Sequence, residues 1–124
     1  MKVTSTTNAP AAIGPYSQAI TFQNIVFTSG QIPLDPATGE IVGTDITAQA
    51  EQVMKNLGAV LEASGSSYEQ AIKTVCFLAN MEDFAAFNEV YGRYFTGKPA
   101  RSCVAVKQLP KGALCEVEVI AAAN

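Results

Sequence analysis

Two stretches of strand-like sequence are apolar on both sides, and this limits the possible folds more than any other feature. In Thr74–Ala79 (TVCFLA), Val75, Phe77 and Ala79 point one way while Cys76 and Leu78 point the other, because successive side chains of a strand project to opposite faces. In Cys115–Ala122 (CEVEVIAA), Cys115, Val117 and Val119 oppose Glu116, Glu118 and Ile120. A sheet built on such strands needs cover on both faces.

The rest of the pattern offers cover for one face only. Asp45 is placed to cap a helix in which Ile46, Ala50, Val53, Leu57, Val60 and Leu61 recur at helical spacing, ending before Gly65. Asn80, with Asp83 three residues on, starts a second helix carrying Phe84, Phe87, Tyr91 and Tyr94 on one face, and Gly97 and Pro99 stop it. Tyr16–Thr21 and Ile25–Ser29 read as strands around a Gln23-Asn24 turn, and Ser102–Val106 as a further strand. The segment SGQIPLDPATGE, punctuated by Gly30, Pro33, Pro36 and Gly39, reads as a surface loop.

The order ββαβαββ predicts an α+β domain, a single mixed sheet with both helices packed on one face. The uncovered face then calls for another copy of the chain. The expectation is an obligate oligomer with sites between subunits.

Composition narrows the function classes. The 124 residues form one domain, 1–124, and 48% hydrophobic against 15% charged residues is the balance of a folded globule rather than a disordered chain. A net charge of −3, with the eight Lys and Arg scattered singly, provides no basic stripe, so nucleic acid is not an expected partner. The N-terminus lacks an apolar export segment and no run approaches the ~18 apolar residues of a membrane span. Cys76, Cys103 and Cys115 have no CxxC spacing, which suggests neither a disulfide framework nor a zinc site and fits a reducing cytoplasm. The chain has no histidine. Chemistry must therefore use carboxylates, Arg, Tyr, Ser, Cys or backbone groups, without the commonest metal ligand and general base.

Within these bounds Arg101 stands out, a lone cation at the mouth of the small apolar strand PARSCVAV. A guanidinium leaving water needs an anion, either an Asp or Glu of the protein or the carboxylate of a ligand. Glu116 and Glu118, acidic side chains on a mostly apolar strand, are candidates to pair with it or to face a cleft. Cys103 shares the face of Arg101 but has no His partner, so it reads as a lining residue rather than a nucleophile. Tyr16, after Gly14-Pro15, can stack on or hydrogen-bond a ligand or be an ordinary half-buried aromatic. Ser29-Gly30 ends a strand, where glycine allows either a plain turn or a ligand close to the backbone. Asn88, between Phe84 and Tyr91, reads as an amide supporting nearby backbone groups.

Four segments, NAPAAIGPYSQAI, TSGQIPLDPATGE, PARSCVAV and LPKGALCEVEVIA, together resemble the signature segments of the Rid family, the reactive intermediate deaminases also called the YjgF family. The similarity runs from Asn8 to Ala121. It implies a homotrimer of chorismate-mutase-like subunits with clefts between them, hydrolysing 2-iminoacids and their 2-enamine tautomers, such as 2-aminoacrylate, to 2-oxoacids and ammonia without a cofactor. By the same resemblance Arg101 holds the substrate carboxylate and Glu116 positions or activates water. Tyr16, Ser29, Gly30 and Cys103 line the cleft, with Asn88 near it. The segment YFTGKPARSC is one residue shorter than the family pattern, which bears on substrate preference. Two other activities are open to such a chain: a module that senses 2-oxoacids through the same clefts, and an RNA-acting translation inhibitor.

Overall fold

The computed structural model describes all residues, Met1–Asn124. Strands β1 (Lys2–Thr4), β2 (Ala19–Phe22) and β3 (Ile25–Thr28) precede helix α1 (Ile46–Ala63). Strand β4 (Ala71–Leu78), helix α2 (Phe84–Tyr94), β5 (Ala100–Ala105) and β6 (Cys115–Ala122) complete the chain. The strands form one sheet in the order β1-β2-β3-β6-β4-β5, antiparallel except for the β4-β5 pair that α2 connects. This is the expected single mixed sheet with two helices on one face. No helix is long and apolar enough to cross a membrane.

Helix α1 forms where its apolar spacing and cap placed it. Asp45 Oδ1 accepts the Ala48 N–H at 2.8 Å, satisfying one of the free donors of the first turn. Ala50, Val53, Leu57, Val60 and Leu61 are completely buried, and all but Val60 join Phe87 and Val90 of α2 in one core against Cys76, Leu78, Cys115, Val117 and Val119 of the sheet.

Several boundaries differ from the sequence reading: β5 runs Ala100–Ala105 rather than Ser102–Val106 and so takes in Arg101, β4 begins at Ala71 rather than Thr74, and β3 ends at Thr28 rather than Ser29. Strand β1 was not expected: three residues at the sheet edge, KVT, carry too little alternation to register as a strand. Tyr16 lies outside β2, because Gly14 at φ +119° turns the chain and Tyr16 N–H donates to Gly14 O at 2.9 Å. Asn80 caps only a 3₁₀ turn, Met81–Asp83, through a 2.9 Å bond from Glu82 N–H, and α2 proper starts at Phe84. Ala79 falls just beyond β4.

The two-sided character of the central strands is borne out. Thr74, Cys76 and Leu78 of β4, and Cys115, Val117, Val119 and Ala121 of β6, are buried beneath the helices. The opposite face has no cover within the chain. Val3 (61% exposed), Phe22 (53%), Phe27 (44%) and Val104 (47%) lie open there, a larger apolar face than a monomer ordinarily shows to water.

Candidate active site

Arg101 lies on β5, the edge strand, in register with Thr74 of β4, and so projects to the helix-covered face. Helix α2 runs beside it. The guanidinium carbon sits 4.7 Å from the centroid of the Tyr91 ring and 5.4 Å from that of Phe84, and Nη1 donates to Asn88 Oδ1 at 2.6 Å. No protein carboxylate meets it, since the ion pair of this chain is Arg93–Glu51 at 2.7 Å. A cavity of about 430 Å³ adjoins it, lined by Asn88, Tyr91, Phe95, Lys98, Pro99 and Arg101 among others, none of them acidic. Of the two anions the sequence left open, the chain does not supply its own.

Asn88 is exposed and serves Arg101 rather than the backbone groups it was expected to support. Cys103 shares Arg101's face, opposite Cys76 on β4. Burial pushes the Cys103 thiol up, partly countered by Arg101, and burial drives Cys76 up to about 12. Neither is disposed to act as a thiolate.

A second group assembles on the other face. Glu116 is in register with Phe77, one residue out of phase with the buried Cys76–Val117 pair, and is half-buried on the uncovered side. Burial raises its carboxyl above the usual range, and the charge of Glu118 on the same strand face raises it further. The β3-β6 register slips by one residue between Phe27↔Ile120 and the bridge Gln31↔Val117. An extra residue of this kind re-aims the chain. It lays Gly30 on the Glu116 side chain so closely that a Cβ there would overlap the carboxyl group. Gly30 is required for close approach, not for a turn. Ser29 Oγ donates to Ser17 O at 2.6 Å and Ser29 N–H to Gln18 O at 2.9 Å, strapping down the segment that carries Tyr16. Tyr16, 53% exposed, borders an apolar cavity of about 610 Å³ with Ile13, Ile32, Leu34 and Pro110.

The site residues therefore fall into two groups, Arg101 with Asn88 and Cys103 on the helix face, and Glu116 with Gly30 and Ser29 at the open side. The intrachain pairing of Arg101 with Glu116 or Glu118 that the sequence allowed does not occur. Sequence reasoning missed Phe84, Tyr91 and Thr74 as the setting of Arg101. Their signal was the aromatic stripe at helical spacing around Asn88, which reads equally well as core.

Known proteins share this arrangement of chain. Residues 6–123 match the family model described as Endoribonuclease L-PSP. A Lactococcus lactis protein that carries a regulator's name, AldR, is 52% identical over 98% of this chain and 97% of its own. The 2-iminobutanoate/2-iminopropanoate deaminase of Mus musculus is 47% identical over 97% of this chain and 90% of its own. A solved structure of the conserved Rid protein family, YyfA from Yersinia pestis, superposes with a TM-score of 0.94 at 50% identity, covering 98% of each chain. With the sequence, the sheet order and these relatives in agreement, the chain belongs to the Endoribonuclease L-PSP family, the Rid family that its signature segments resemble.

Proposed function

We propose that this protein is a 2-iminoacid/2-enamine deaminase, hydrolysing small imines such as 2-iminopropanoate and 2-iminobutanoate to 2-oxoacids and ammonia. The observation that carries the reading is Arg101: a guanidinium fixed by Asn88 and an aromatic face, beside a cavity with no acidic residue, and with no carboxylate of its own. Arginine's planar fork suits bidentate capture of a carboxylate and keeps its charge where lysine can lose it. Since Glu116 lies on the opposite face of the same sheet, the reading places each site between subunits. Arg101 of one copy faces Glu116, Gly30 and Tyr16 of the next, in a homotrimer whose apolar sheet faces cover one another.

The chemistry asks little of such a site. A protonated imine is already electrophilic, so holding it beside a water and a proton acceptor supplies most of what hydrolysis needs. Arg101 holds the acid end. Glu116 takes a proton from the attacking water as its oxygen bonds to the imine carbon and returns it to the nitrogen. As the C–N bond breaks and ammonia leaves, the new hydroxyl becomes the carbonyl and gives its remaining proton to Glu116, which passes it to the departing ammonia or to solvent. A carboxyl raised by burial is nearer to accepting a proton at neutral pH than an exposed one. The reading carries no cofactor, and its setting is a reducing cytoplasm, in keeping with three free cysteines.

The regulator name of the Lactococcus lactis relative favours a second reading, a 2-oxoacid sensor using the same clefts. Freshly generated 2-aminoacrylate separates the two. A deaminase accelerates ammonia release in proportion to protein, whereas a sensor binds the 2-oxoacid and leaves imine decay at its spontaneous rate. The family description raises an RNA-acting reading as well, and the scattered cations of a chain of net charge −3 weigh against it.

A further inference from the structure

Arg101, Thr74 and Tyr91 form a closed circuit. Thr74 and Arg101 are register partners on neighbouring strands, the Thr74 and Tyr91 hydroxyls hydrogen-bond at 2.7 Å, and the Tyr91 ring lies 4.7 Å beneath the guanidinium. We infer that Thr74 and Tyr91 are positioning residues, whose buried hydroxyl pair holds the aromatic platform that fixes the direction of Arg101. This inference rests on the proposed role of Arg101 as the carboxylate anchor.

The pair is costly to explain otherwise. Thr74 is completely buried and Tyr91 is 7% exposed, within a cluster of Phe87, Val90, Phe95, Cys76 and Leu78. A hydroxyl pair in such a place adds little net stability, and apolar groups of the same shape, Val and Phe, substitute for it at nearly no cost. What the hydroxyl pair adds is direction. Phe95, at a 4.8 Å centroid distance, and Phe87, at 6.0 Å, flank the ring one turn after and one turn before it along α2, contacts that carry no directional bond. The bond to Thr74 fixes the depth of the ring, and so the height at which the guanidinium rests.

Arg101 needs such help. Its side chain has several freely rotating bonds, and restraining them costs rotamer entropy. Its one hydrogen bond to protein runs to Asn88, itself exposed on α2. A single contact of this kind leaves the fork free to swivel about it. The ring removes that freedom beside the cavity that Arg101 lines.

Loss of one partner and loss of both then have opposite consequences. Thr74→Val strands the Tyr91 hydroxyl in an apolar pocket, and the ring shifts to find a partner. Thr74→Val combined with Tyr91→Phe removes both polar groups and keeps the packing, so the ring stays in place. Tyr91→Leu removes the platform outright.

The test measures the Arg101 Nε–Hε order parameter by NMR and the Kd for 2-oxobutanoate by calorimetry, in wild type, Thr74→Val, the double variant and Tyr91→Leu. Expected for Thr74→Val and Tyr91→Leu are a lower order parameter and a Kd about tenfold higher, with both restored in the double variant. An unchanged order parameter, or an unchanged Kd, in Thr74→Val overturns the inference. Thr74→Val decides alone if Tyr91→Leu does not fold. Both readouts are independent of turnover. Absence of imine hydrolysis by wild type sinks the deaminase reading and leaves this test standing.

Discussion

Arg101 and Glu116 stand on opposite faces of one sheet, Arg101 in phase with the buried Thr74 and Glu116 in phase with the uncovered Phe77. A reaction needing both groups must draw them from two copies of the chain. Phe27, 44% exposed and in register with Ile120 on the open face, lies far from Arg101's helix face yet should control activity. Phe27→Asp is expected to dissociate the oligomer in sedimentation and abolish imine hydrolysis, with helix content intact by circular dichroism. A fully active monomer would contradict the shared site.

Removing the fork should cost more than weakening it. Arg101→Ala is expected to lower kcat/KM for 2-iminopropanoate by about 10²–10³-fold, the scale of a truncated buried charge pair, with the oligomer intact because the guanidinium's contacts to Tyr91 and Phe84 lie within one chain. Arg101→Lys should recover little, since a point charge cannot reproduce the bidentate grip. Steady-state kinetics on the two variants checks both statements.

The raised Glu116 carboxyl sets the pH behaviour. Burial is the larger cause and Glu118 the second, so the native group holds its proton more tightly than the unfolded chain does. As pH rises from the usual carboxylate value through the raised one, the native state binds the extra proton and stability falls; above that window the loss is constant. Glu116→Gln should abolish this decline while lowering kcat. Glu118→Gln should move the acid limb of kcat/KM to lower pH, because it removes one of the charges that opposes ionisation. Thermal melts and rate profiles across the acidic range read both effects.

Gly30 leaves no room for a methyl group beside Glu116. Gly30→Ala is expected to push the carboxyl aside and reduce kcat by about 10²-fold, as displacements on the order of 1 Å do. The loss of stability should be small, since Gly30 is exposed. A wild-type kcat would show that Glu116 has no fixed place in the reaction.

How much of this could be read from residues alone depends on whether a feature is local. Helix α1 was legible throughout, since six apolar positions and the Asp45 cap repeat one message. The two-sided strands were legible for the same reason, alternation being a property of each strand. Which face of β5 matches which face of β6 was not, because it depends on register across β4. The contact of Gly30 with Glu116 follows from a one-residue slip between β3 and β6 that no alternation encodes. The bond from Arg101 to Asn88 needed α2 to lie beside β5, where an amide that looked like core support meets an edge strand.

The central claim, that each site joins Arg101 of one subunit to Glu116 of its neighbour, is tested most directly by mixing two inactive variants. Arg101→Ala and Glu116→Gln chains, co-expressed in equal amounts with different tags, should assemble at random. About one quarter of the head-to-tail interfaces then pair an intact Arg101 with an intact Glu116. The account predicts that mixed trimers, purified through both tags and so freed of the two parental forms, recover imine hydrolysis to about one third of wild type, since each holds one intact site among its three. Mixed oligomers as inactive as either parent would contradict it.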